Sequence, residues 1–261
     1  MIGLFLRKAF YSGWDNLLTI IVLNVLVLSI GFGGVFLASA TADIVPLSIG
    51  SLVLAVLLEG VLFMSISSVM ADVARHRSLT FKAVFTAFRE YAPHGMFFAI
   101  LVCLVSVLAA IVIPYYLSLN SLFGLTLAAM MFWVVVLFLL SFQWFLAVRV
   151  QIEKDFKNAV KKSFILFFDN PGFSFFLFFY SLVLITVSGL TVFLVPGFSG
   201  VILAQNEALR LRLFKYNWIE SHPELDFKTA RKSVPWDEIL EEEDDIVGHR
   251  TFRNFIFPWK Y

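Results

Sequence analysis

Five stretches of this chain, about 17–39, 47–70, 95–118, 122–148 and 173–195, are long apolar runs in which Glu59 is the only charged residue. A helix needs about 20 such residues to cross roughly 30 Å of hydrocarbon, so each run reads as a membrane span. A water-soluble core is excluded by composition. Soluble domains carry about a quarter charged residues, whereas this chain has 15% charged and 60% hydrophobic residues, 31 of them Phe. The expected fold is therefore all-α, a polytopic transmembrane helix bundle.

The distribution of charge sets the topology and adds a sixth span. No Lys or Arg falls between the first and second runs, between the third and fourth, or just after the fifth. The basic residues cluster instead at Arg7 and Lys8, at Arg75 to Arg89, at Arg149 to Lys162, and from Arg210 onward. By the positive-inside rule these segments are cytoplasmic. An even number of crossings is then required, and the candidate is 197–214, which starts after Pro196-Gly197 and turns polar at Gln205. We expect about six spans arranged as three hairpins, a transmembrane domain over 1–216, and a cytoplasmic acidic and aromatic tail over 217–261. Both termini are expected in the cytoplasm. The first run exceeds the about 7 to 15 residues of a signal-peptide core, so it reads as a retained anchor.

Each hairpin is preceded by a basic, aromatic, amphipathic stretch: Arg7-Lys8-Ala9-Phe10, Phe81-Lys82-Ala83-Val84-Phe85 and Lys161-Lys162-Ser163-Phe164. The step from Lys8 to Asp15 equals that from Lys162 to Asp169. The pattern reads either as three copies of one unit, an interfacial helix plus a hairpin, or as the common dress of any loop entering a membrane.

Polar groups at membrane depth are the candidate functional residues, because an intramembrane charge costs about 2.5 to 3.5 kcal/mol even on insertion scales. Glu59 is read as a relay or ligand acceptor, or else as a partnered helix-to-helix contact. Asn24 and Gln143 read first as interhelical hydrogen-bond donors. Gln205, Asn206 and Glu207 form the densest polar cluster, placed for a substrate or a partner, or only interfacial. Gly34 with Ala38 offers a small-xxx-small packing pair, and Pro114 and Pro196-Gly197 read as span ends.

In the tail, Trp236 precedes the acidic run 237–245, and Phe255, Phe257 and Trp259 follow it. Aromatic anchors around a charged spacer suit partner docking. Cys103 is the only cysteine and the four His are scattered, so neither a disulfide nor a metal site is expected. No phosphate loop, dinucleotide fingerprint or nucleophile elbow occurs, so an enzyme, a cofactor or a nucleic-acid partner is not expected.

Asn24 in the first span, Ser78-Leu79-Thr80-Phe81-Lys82-Ala83-Val84-Phe85, Phe156-Lys157-Asn158-Ala159-Val160-Lys161-Lys162-Ser163 and the Pro196-Gly197 turn together resemble the YesL-like family of small bacterial membrane proteins, over roughly residues 5–216. The resemblance implies residence in the bacterial cytoplasmic (inner) membrane and an accessory role beside carbohydrate ABC transporter subunits. It supplies no catalytic or binding residues, and the tail lies outside it. The alternatives are an autonomous small-solute transporter or channel using Glu59, Asn24 and Gln143, and a lipid-binding or membrane-organising protein.

Overall fold

The computed structural model describes residues 1–77 and 81–248, without the side chains of 81–83, 227, 228 and 232. Ser78, Leu79 and Thr80 of the basic loop, and Phe255, Phe257 and Trp259 of the tail, lie outside the described residues. The described chain is all helical. The amphipathic α1 (Ile2–Asp15) leads into α2 (Leu17–Ala40), which turns back as α3 (Val45–Ala74). Then come α4 (Phe81–Val107), a π-helical turn (Leu108–Val112), α5 (Ile113–Ser118) and α6 (Leu122–Phe142). The short α7 (Phe145–Gln151), amphipathic α8 (Phe156–Asp169), α9 (Pro171–Leu190) and α10 (Gly197–Ser221) complete the bundle. Three short helices follow: α11 (Phe227–Lys232), α12 (Trp236–Ile239) and α13 (Glu241–Val247).

Among the described residues, five helical stretches are long and apolar enough to cross a membrane: 17–40, 45–74, 84–118, 122–151 and 171–190. They overlap the five expected runs, of which the fifth ends five residues early, at Leu190, and three further differences stand out. The third span starts 11 residues earlier, at Val84 rather than 95, about three turns, because the second basic stretch continues into it as one helix. Pro114 does not end that span. It sits in the first turn of α5 directly after the π-helical turn, and the helix runs on to Ser118. The expected sixth span, 197–214, falls on α10, which is not among the five and extends to Ser221.

Close approach fixes how the first four spans meet. A Cβ on Gly34 would lie 2.3 Å from Ala55 Cβ, and Ser48 Oγ donates to Ala38 O at 2.9 Å, so the small pair of α2 does serve packing. A Cβ on Gly95 would lie 2.4 Å from Val61 Cα, and one on Gly60 2.4 Å from Gly95 O, so α3 and α4 cross backbone to backbone. One turn further along α4, Phe98 stacks on Phe142 and Phe145 with ring centroids 5.6 and 5.7 Å apart.

Burial is uneven along these helices. The buried residues concentrate at the end that carries the basic loops, in 61–74, 140–149 and 199–212. The opposite, distal halves are exposed, with Phe36 at 71% and Leu122 at 81%. Such apolar surface is stable where the surrounding medium is lipid.

The helix at the centre of the basic end is the least apolar of the long ones. Most of α10 is buried, including Asn206, Glu207, Arg212 and Lys215. Polar side chains are tolerated there because protein, not lipid, surrounds them. Helix α10 begins beside Phe63, whose ring lies 5.7 Å from that of Phe198, so about 27 Å of α3 extends beyond its first turn.

Candidate functional site at the basic end of the bundle

Helix α1 presents Leu4, Phe5, Lys8 and Ala9 on one buried face. A lysine in that stripe needs counter-charge, and Lys8, fully buried, finds it on α10 and α13. Its Nζ lies 3.1 Å from Glu207 Oε2, hydrogen-bonds Glu243, and donates to Ala74 O at 3.2 Å. Ser12 donates to the other oxygen of Glu207 at 2.9 Å. Glu243 also accepts from Arg210, through Nε at 2.8 Å and through a terminal nitrogen, and lies 3.2 Å from His76 Nε2.

Four segments thus converge on one cluster: α1, the end of α3, α10, and α13 of the tail. Lys8 and Arg210 thus face two carboxyl groups, Glu207 and Glu243. Burial pushes the Glu243 carboxyl up, but the hydrogen bonds and charges of Lys8 and Arg210 outweigh it and hold the group below the usual carboxylate range.

A second ionic knot lies where α8 meets α9. Asp169 accepts from Tyr216 at 2.5 Å and Lys215 at 3.1 Å, and pairs with Arg231 at 2.9 Å. Burial again pushes its carboxyl up, and the Tyr216 and Lys215 hydrogen bonds again bring it below the ordinary value. The joints Asn16 and Asn170 are alike. Each amide donates four residues back, to Ser12 O at 2.9 Å and Leu166 O at 3.4 Å. Local geometry therefore repeats at two of the three interfacial stretches, although Lys8 and Lys162 do not share a role: Lys162 pairs with Glu153 at 2.8 Å.

Asn24 spends its whole amide on the turn between α9 and α10. It donates to Leu194 O at 3.0 Å and Pro196 O at 2.9 Å, and accepts from Ser199 N at 2.9 Å. Gly197, at φ +61°, touches this amide so closely that a Cβ would sit 2.1 Å from Asn24 Nδ2. The remaining polar groups of the turn bond one another. The N–H groups of residues 191 to 194 reach helix or turn carbonyls. Val195 N donates to Thr191 Oγ1 and Gly197 N to Ser188 Oγ. Irregular backbone this self-contained satisfies the demand that hydrocarbon makes of any non-helical segment.

The six expected intramembrane polar residues are thereby dispersed. Asn206 joins Ser67 Oγ at 3.1 Å and Gln151 at 2.8 Å, one residue from the Lys8 cluster. Gln143 donates to Leu140 O and Ser174 O, beside the buried Trp144. Gln205 is half-buried. Glu59 stands apart, with one oxygen 2.7 Å from where a Gly31 Cβ would be. Trp236, expected as a partner anchor, lies 5.7 Å from the Arg212 guanidinium, against its own membrane domain. Lys8, Ser12, His76, Arg210 and Glu243 were not singled out from sequence. The available signal was Lys8 itself, a lone cation in the apolar stripe of α1. Among the described residues no three His, Cys, Asp or Glu side chains are grouped to hold a metal.

Compared with known proteins, the chain matches no protein-family model, no curated protein and no solved structure.

Proposed function

We propose that this chain is a non-enzymatic integral membrane protein that works through contacts with other membrane proteins, as an accessory component of a carbohydrate ABC-type uptake system. The observation that supports contact over conduction is the dispersal of the intramembrane polar groups. Asn24, Gln143, Asn206 and Glu207 each end on separate internal partners, whereas an autonomous transporter needs them to face one cavity. The carbohydrate link comes from the resemblance to the YesL-like family.

The same reading gives a topology. Four full crossings, α2, α3, the α4–α5 stretch and α6, stand beside an α9–α10 hairpin that enters and returns on the basic side. Gly197 N bonds Ser188 Oγ and Pro196 O bonds Asn24, so α9 ends level with Asn24, about 24 Å short of the distal end of α2. An even count of crossings keeps every basic loop on one side, as the charge pattern asks.

A photo-crosslinking amino acid at Phe36, Leu122 or Trp133, on the exposed distal faces, tests the proposal in native membranes. Crosslinks to ABC permease subunits are the expected result. Crosslinks to lipid alone, together with solute uptake by the purified protein in vesicles that Glu59→Gln abolishes, would replace it with the transporter reading. A lipid-handling role has one observation in its favour: a cavity of about 340 Å³ among α1, α2, α9 and α10, lined by Phe10, Trp14, Ile20, Tyr180 and Leu203.

A further inference from the structure

The Lys8 cluster has an asymmetry. Three of its charged groups, Lys8, Glu207 and Arg210, belong to the bundle itself, and the fourth, Glu243, arrives on a seven-residue helix near the end of the described chain. Helices this short have little stability of their own. Besides Glu243, the segment is held by the Arg7–Asp244 pair at 2.5 Å, whose side chains are more than a third exposed, and by buried Leu240 and Val247. Surface pairs of that kind contribute little.

Removal of Glu243 would leave Lys8 and Arg210 facing Glu207 alone, an uncompensated positive charge with Lys8 wholly buried and His76 beside it. A buried charge in that state demands another anion. A cavity of about 510 Å³ opens between α1 and the tail helices next to this point; Arg7 lines it from α1, and Asp237, Glu238, Glu241, Asp244 and Asp245 line it from the tail, so its acids leave together with the tail helices. Helix α1 is the interfacial element of the fold, so the site lies at headgroup depth on the basic side, where anionic lipids attract cations.

We infer that Lys8, His76 and Arg210 form an anion site which the chain fills with its own Glu243, making residues 236–248 a displaceable latch over a place that takes a phosphate group. Such a group could belong to a phospholipid or to free phosphate. Arginine and lysine together suit phosphate oxygens at least as well as a carboxylate. The inference does not rest on the accessory role.

Amide hydrogen exchange of the full chain in lipid nanodiscs tests it. In neutral phosphatidylcholine, Glu243→Gln should speed exchange in 236–248 about tenfold, the loss of a charge-assisted bond, with 61–74 and 199–212 unchanged. In the unaltered protein, exchange of 236–248 should rise when phosphatidylglycerol replaces neutral lipid, or when inorganic phosphate is added to neutral nanodiscs. A rise with phosphatidylglycerol alone assigns the site to a headgroup, and a rise with inorganic phosphate assigns it to the free ion. If Glu243→Gln disturbs the bundle core as well, the titrations of the unaltered protein decide. Absence of any rise with either anion, or unchanged exchange in a folded Glu243→Gln variant, would overturn the inference.

Discussion

Lys8 is bracketed by carboxylates that lie 199 and 235 residues away in sequence. Removing one partner of a buried ionic group costs about 3 to 5 kcal/mol, because the other is left charged and dry. We expect Lys8→Met to lower the unfolding midpoint in detergent sharply, and Glu207→Gln added to it to recover part of the loss. Equal midpoints for Lys8→Met and the original protein would show that the pair contributes nothing. Glu243 sets a pH response. Its carboxyl is held below the ordinary glutamate value of about 4.3, so its contribution is complete above that value and lost as pH falls through the lower folded one. Protease sensitivity of residues 236–248 should therefore appear on acidification below about pH 4. Asn206 and Glu207 were legible from sequence because polar residues are conspicuous in an apolar run. Lys8 was not, because a basic residue before a first span looks like ordinary positive-inside charge.

At the scale of elements, packing depends on single glycines on facing helices. Gly95 and Gly60 share no helix, so no GxxxG spacing announces the α3–α4 crossing; only the pairing of two separate segments reveals it. Gly95→Ala would push a methyl to within 2.4 Å of Val61 Cα, which is backbone and cannot yield. We expect a loss of about 1 to 3 kcal/mol, read as a lower thermal midpoint. Gly33→Ala, with open space around its Cβ position, should leave the midpoint where it is. The five apolar spans, by contrast, were legible as segments, since hydropathy reports contact with lipid, while several of their ends differ by four residues or more. Helix α10 escaped for the complementary reason: most of it packs against protein, so its composition says nothing about depth.

For the whole molecule, charge asymmetry was legible and the route of the last hairpin was not. Parity demanded an even number of crossings, and the sequence offered only 197–214 to supply it; a hairpin that turns back inside the membrane meets the same demand. In a Cys103→Ser background, Ala42→Cys and Asn120→Cys should react with a membrane-impermeant thiol reagent from one side, and Glu153→Cys and Ser221→Cys from the other. Val192→Cys should react from neither. Labelling of position 192 together with 42 and 120 would restore a full sixth crossing. The sequence pointed the tail at a partner; its docking on the chain's own bundle was not legible, because a run of acids looks like solvated surface until its one buried member, Glu243, is seen against Lys8.

The bonds between Asn24 and the α9–α10 turn also impose an order of assembly. The partner carbonyl of Pro196 is 172 residues downstream. At ribosomal rates of about 5 to 20 residues per second, roughly 10 to 30 s pass between the synthesis of Asn24 and that of Pro196. Throughout that interval the first span must hold an amide in the membrane without its permanent partners. The first helix inserted is among the last to be finished, and a chain truncated before residue 196 leaves the bilayer with a span that is still asking for a hydrogen bond.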